Sequence, residues 1–105
     1  MAIRKSYLFS SNYIHTASVN FALSHPARLL ILDLIRQHGG CSFALITQRI
    51  PLAKATISEH IQVLLKNYLV KTGNLADGNV GYLLYETGFC DGKSLVMDFL
   101  ENKLH

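Results

Sequence analysis

The sequence predicts a mostly α-helical single domain with one β-hairpin, in the order α-α-α-α-β-β-α. Three observations predict it. The 105 residues are one domain's worth of chain, and half of them are hydrophobic. Apolar residues recur at helical spacing in four segments before residue 68 and again after residue 92. Between them lie two short strand-forming runs around the turn signal Asp77-Gly78-Asn79.

The first helix is expected over about residues 12–23, where Tyr13, Ile14, Ala17, Phe21 and Ala22 recur. The second opens at Ser24-His25-Pro26, with Ser24 or His25 at the cap and Pro26 in the first turn. Leu29, Leu30, Leu32, Leu34 and Ile35 spread widely enough for a buried helix, which Gly39-Gly40 ends. Ser42 caps a short third helix that runs through Ile50, and Pro51 breaks it. A fourth spans about residues 54–67, with Ile57, Ile61, Leu64 and Leu65 on one stripe and Ala55, Glu59, Gln62 and Lys66 opposite. Residues 69–72 and 82–86 read as the paired strands. Gly88 and Asp91-Gly92 read as breakers, which leaves a last helix over about residues 93–104.

Composition narrows the function classes. Charged residues are only 16% of the chain, so part of its apolar surface is expected to be buried on a partner chain. No apolar run is long enough to span a bilayer. The stretch after Arg4 and Lys5 is too short for a signal-peptide core, so a cytoplasmic location is expected. Two cysteines, Cys41 and Cys90, make no disulfide framework. The net charge of +3 is unevenly spread. Residues 1–71 carry eight Lys/Arg against Asp33 and Glu59; residues 72–105 carry Lys93 and Lys103 against five acidic residues. Such asymmetry suggests one face for a polyanion, although charge alone favours nucleic acid only slightly.

Two short helices joined by a tight break and followed by a hairpin make a winged helix-turn-helix. The residues carry a specific resemblance. Ala22-Leu23-Ser24-His25-Pro26-Ala27-Arg28-Leu29-Leu30-Ile31-Leu32 is similar to the opening of ArsR-type regulators. Leu52-Ala53-Lys54-Ala55-Thr56-Ile57-Ser58-Glu59-His60-Ile61 is similar to their recognition-helix signature. Val63-Leu64, Leu69-Val70 and the hairpin from Gly78 to Tyr85 continue the match in register, over roughly residues 20–86. The resemblance implies a homodimeric transcriptional repressor that binds double-stranded DNA.

The chemistry of the fourth helix agrees. A recognition helix sets short polar side chains against base edges and phosphates in the major groove. Lys54, Thr56, Ser58, His60 and Gln62 supply donors and acceptors, and Lys66 and Lys71 reach flanking backbone. The helix N-terminus itself favours a phosphate. Some positions depart from the family pattern. Ala53 replaces a capping Ser, a loss on the order of 1 kcal/mol at the helix start. Lys54 replaces a common Gln, which moves base preference from adenine toward guanine or makes Lys54 a phosphate contact. Asp77 and Asn79 stand at the wing tip where Arg or Lys is frequent, which weakens the case for wing contact with DNA.

No effector is identified. The family's thiolate metal site needs a Cys-x-Cys pair, and Ser42 and Ala44 fill that register with Cys41 just outside. Its other metal site uses His and carboxylate pairs on the last helix, where Asp91, Asp98 and Glu101 are joined only by the terminal His105. Neither a metal nor another cofactor is therefore expected. A thiol-redox regulator using Cys41 and Cys90 is an alternative, against two buried and inert thiols with no adjacent cation. His15, His25 and His38 lack ligand spacing. No enzyme constellation is present: there is no phosphate-cradling Gly-rich loop and no nucleophile motif. A winged helix that binds protein instead of DNA is the remaining competitor.

The dimer is expected at the two ends of the chain, which make residues 1–105 one DNA-binding domain with terminal dimerisation elements. Leu95, Val96, Phe99, Leu100 and Leu104 form a stripe on the last helix; Tyr13, Ile14, Ala17 and Phe21 form one on the first. A core this small cannot cover both, and burial across a two-fold axis resolves that.

Overall fold

The computed structural model describes residues 8–103. Arg4, Lys5, Leu104 and His105, all used above, lie outside them. The described residues form α1 (Ser11–Ala22), α2 (Pro26–His38), α3 (Phe43–Arg49), α4 (Lys54–Lys66), β1 (Val70–Asn74), β2 (Val80–Leu84) and α5 (Glu86–Leu100). This is the expected order.

The helix starts follow from local chemistry. Ser10 Oγ accepts from Tyr13 N–H at the head of α1, and Ser42 Oγ accepts from Leu45 N–H at the head of α3. His25 caps α2 through Nδ1, which accepts from Ala27 N–H at 3.0 Å, with Pro26 at the first helical position. Gly39 ends α2 in the left-handed region at φ 65°, where a side chain is strained. Gly40 N–H then returns to the Ile35 carbonyl at 3.0 Å.

The core joins α2, α3, α4 and the root of the hairpin. Ile31, Ile35, Ile46, Ile57, Ile61, Leu64, Leu69, Val70 and Cys41 are all buried within it. Burial of each large aliphatic side chain contributes roughly 1.5–3 kcal/mol. The hairpin is antiparallel, with Val70 opposite Leu84 and Asn74 opposite Val80. Cys41 extends it by a single bridge to Tyr82, exchanging two backbone hydrogen bonds of 2.9 and 2.8 Å.

Two expectations are corrected. Against the expected 69–72 and 82–86, β1 starts one residue later and runs two further toward the tip, and β2 lies two residues nearer the tip, because the loop closes tightly. Leu75 N–H donates to Asn79 O at 2.7 Å, which carries the ladder through the side-chain-poor pair Gly73–Gly81. Glycine weakens a strand signal in sequence, but backbone pairing does not need a side chain. The second correction is larger. The last helix begins at Glu86, not near residue 93, and runs through Gly88, Asp91 and Gly92. These glycines are sites of close approach. A Cβ on Gly88 would lie 1.9 Å from the Tyr68 carbonyl oxygen, and one on Gly92 would lie 3.1 Å from a Val19 methyl. The helix therefore presses onto α1 and onto the chain entering β1. Its end is also earlier than expected. Asn102 takes φ 61°, Lys103 N–H donates to Asp98 O and Asn102 N–H donates to Phe99 O, which together close a Schellman motif. No described helix is long and apolar enough to cross a membrane.

Candidate nucleic-acid interface

The helix-turn-helix consists of α3, the link Ile50-Pro51-Leu52-Ala53, and α4. Ile50 is buried and Leu52 N–H donates back to Ile50 O at 2.8 Å, which makes the corner tight. Ala53 offers no side-chain cap to α4. The first N–H groups of α4 are left without that partner, as the missing Ser predicts, and stand ready for an acceptor from outside.

Burial divides α4 cleanly. Ile57, Ile61 and Leu64 face the core. Lys54, Ser58, Gln62 and Lys66 are exposed, and Thr56 is half-buried on one flank. Glu59 is also exposed, beside Gln62 and Lys66 on the outermost face. Its carboxylate is a hydrogen-bond acceptor aimed outward, which sequence reasoning placed on the polar side but did not count among the site residues. Arg49 and Gln48, exposed in the last turn of α3, were missed as well. Gln48 shares a shallow hollow with Thr47, Leu52 and Lys54. Position in the turn before Pro51 was the available signal. The ion pairs among the described residues are Arg36–Asp33 and Lys103–Glu101. The charges of Lys54, Lys66, Arg49 and Lys71 are thus not neutralised by a described carboxylate.

His60 is placed differently from the rest. Its half-buried ring lies against α2, with Nδ1 3.1 Å from Arg28 Nη1 and its centroid 4.2 Å from that of His25. Arginine is a donor only, so Nδ1 accepts and the ring proton belongs on Nε2. Burial lowers the His60 pKa below its ordinary value, and the neighbouring His25 and Arg28 lower it further; Glu59 opposes them. Arg28 is itself a hub. It is 7% exposed, and it donates from Nε to the Ala22 carbonyl at 2.9 Å and from Nη2 to the Phe21 carbonyl at 3.0 Å. Its guanidinium also sits 5.1 Å from the centre of the Phe21 ring. One buried cation therefore closes the end of α1, anchors α2 and meets α4.

The wing extends beside this face. Lys71 lies 5.6 Å over the Tyr85 ring. At the tip, Asp77 accepts from Asn79 N–H at 2.9 Å and from Asn79 Nδ2 at 3.2 Å, so the tip presents a self-satisfied turn without a cation.

The apolar residues expected at a dimer seam are largely open in the single chain. Tyr13, Ile14, Phe21, Phe99 and Leu100 are exposed, as is Ala17; Leu95 and Val96 are half-buried. Phe99 reaches α1 beside Tyr13, Thr16, Ala17 and Asn20. The two thiols differ from the expected buried pair: Cys41 is buried, but Cys90 is exposed on α5. Burial raises the Cys41 pKa, and Arg49, unseen as a neighbour in the sequence, lowers it less than burial raises it.

Comparison with known proteins agrees with this geometry. Residues 23–72 match the family model of a helix-turn-helix domain. No curated protein sequence matches. Among solved structures, an ArsR-like transcriptional regulator from Rhodococcus sp. RHA1 is similar at a TM-score of 0.71, with 21% identity over 89% of this chain and 86% of that one. The homodimeric winged helix-turn-helix DNA-binding domain of a Mycobacterium bovis protein aligns over 100% of this chain and 95% of its own, at 25% identity and a TM-score of 0.62. The transcriptional repressor BigR of Xylella fastidiosa is similar at a TM-score of 0.63, with 23% identity over 89% and 91%. Fold and motif thus define a winged helix-turn-helix protein. Its fold is similar to that of solved ArsR-like transcriptional regulators.

Proposed function

We propose that this chain is a homodimeric transcriptional repressor that binds a pseudo-palindromic double-stranded operator and is released by an effector. One observation carries the reading: the outer face of α4 combines exposed polar side chains with lysines that have no described carboxylate partner. In the groove, Lys54, Thr56, Ser58 and Gln62 contact base edges or the nearest phosphates, and Lys66 contacts backbone. Glu59 accepts from a cytosine amino group, the base-edge donor suited to a carboxylate. His60 keeps one ring edge for Arg28, so its part is chiefly to hold α4 at its angle. Tyr13, Ile14, Ala17 and Phe21 meet Leu95, Val96, Phe99 and Leu100 across the two-fold axis. That axis sets two copies of α4 about 34 Å apart. The homodimeric Mycobacterium bovis domain supports this arrangement, and BigR supports repression.

The cation-free wing tip favours a second reading, in which the winged helix binds a protein. Affinity for duplex DNA measured at several salt concentrations separates the two, since each phosphate contact adds about −0.9 to the slope of log K against log salt. Lys66→Ala should weaken all duplexes alike and flatten that slope by about one. Lys54→Ala and Thr56→Ala should weaken the operator selectively, by roughly 1–3 kcal/mol where the contact is to a base. Equal losses on operator and random duplex would remove base reading from α4.

A further inference from the structure

A crevice of about 330 Å³ lies between α5 and the body of the domain; of the proposed seam residues on α5, Val96 borders it and Leu95, Phe99 and Leu100 do not. Its α5 wall is Phe89, Lys93, Val96 and Met97, which fall at i, i+4, i+7 and i+8. Val19 and Leu69, each 2% exposed, form the floor, and Leu23 and Arg36 face α5 from the other side. The glycine contacts explain why it exists. Gly88 on Tyr68 and Gly92 on Val19 hold the first half of α5 tightly. The following turn carries Lys93, Val96 and Met97 in place of glycine, and these side chains border the gap.

The lining is apolar except for two cations. Arg36 already pairs with Asp33, whereas Lys93 meets no carboxylate among the described residues. We infer that this crevice is a binding site for a small monocarboxylate with an apolar tail. The tail would lie on Val19, Leu69, Phe89 and Met97, and the carboxylate would take the Lys93 ammonium, with Arg36 nearby. The volume falls in the range of small-molecule sites, which combine apolar walls with a few polar groups. A cationic amphiphile would meet two like charges, and a neutral one would leave Lys93 unpaired. Because α5 also carries Phe99 and Leu100, an occupant that moves α5 against α2 alters the seam between protomers and hence the spacing of the α4 helices. The site stands on the crevice alone; its consequence for DNA rests on the function proposed above.

Calorimetric titration of the full chain with octanoate tests the site without DNA. Hexanoate, octanoate and decanoate should gain affinity by roughly fourfold per methylene while the tail still finds apolar wall. Octylamine should not bind. Lys93→Gln should weaken octanoate by roughly tenfold or more, as the loss of a charged hydrogen bond implies. Met97→Trp, at a lining residue outside the proposed seam, should abolish binding by filling the crevice, with an unchanged circular dichroism spectrum. Octanoate that fails to saturate a site, octylamine that binds as well, or an indifferent Lys93→Gln would each overturn the proposal. Octanoate should also change the affinity for operator duplex in the parent and not in Met97→Trp. Stoichiometric octanoate binding with unaltered DNA affinity would refute the regulatory consequence and leave the site intact.

Discussion

Replacing Arg28 by Met removes the guanidinium and keeps an apolar stem of similar reach. Two carbonyls at the end of α1 lose their donors: Ala22 O, held at 2.9 Å, and Phe21 O, held at 3.0 Å. His60 Nδ1 loses its donor as well. A hydrogen bond to a charged group contributes about 1.5–3 kcal/mol, and the two carbonyl bonds together set an upper scale near 6. Two effects reduce it. Water reaches a helix end more readily than a helix interior, and Met needs no desolvation. A net loss of about 2–4 kcal/mol follows, a large share of the 5–15 kcal/mol that stabilises a typical domain. For a domain of this size the midpoint should fall by roughly 10–30 °C. Thermal and urea unfolding at fixed protomer concentration give the measurement, since a dimer's stability depends on concentration. A double-mutant cycle with His60→Ala should show a coupling of about 0.5–3 kcal/mol. An Arg28→Met protein within about 0.5 kcal/mol of the parent, the range of ordinary surface changes, would refute the hub.

Acid should loosen the same joint. Burial holds the His60 pKa below the ordinary 6.5, so the unfolded chain binds the extra proton first as pH falls. The stabilising contribution is full above pH 6.5, shrinks as pH drops through the window between the two values, and levels off below the folded one. A melting series should therefore fall more steeply below pH 6.5 in the parent than in His60→Asn, and parallel curves would argue against it. Gly88→Ala should destabilise by roughly 1–3 kcal/mol, because overpacking against Tyr68 O outweighs the better helix propensity of Ala; a stabilised variant in urea unfolding would contradict the close approach. Phe99→Glu puts a charge in the proposed seam, so light scattering should find a monomer or an unfolded chain with operator affinity lost. A folded dimer with intact operator binding would discard that interface.

Caps and breaks with a local cause were legible in the sequence. Ser42, His25-Pro26, Gly39 and Pro51 act on neighbours within a turn, and α2, α3 and α4 stand close to where they were expected. The start of α5 was not legible. Gly88 and Gly92 resemble breakers until Tyr68 and Val19 are known to press against them, and those contacts span 20 and 73 residues of sequence. The role of His60 was hidden for the same reason, since Arg28 lies 32 residues away. Glu59 differs: its place on the polar face was readable, but a carboxylate in a DNA-facing helix looks unfavourable until the cytosine amino group is counted as a donor. The crevice beside Lys93 depends on the true start of α5 and left no sequence signal.

Selection of duplexes from a random pool, followed by affinity measurement on the enriched sequence, tests the central claim most directly. The account predicts a pseudo-palindrome with half-sites centred about one helical turn apart, bound at least roughly 10³-fold more tightly than random duplex at physiological salt. Lys54→Ala and Glu59→Ala should each relax the preference at a separate base pair within both half-sites. A pool that yields no enriched sequence, or an enriched sequence whose binding ignores both substitutions, would contradict a recognition helix in α4.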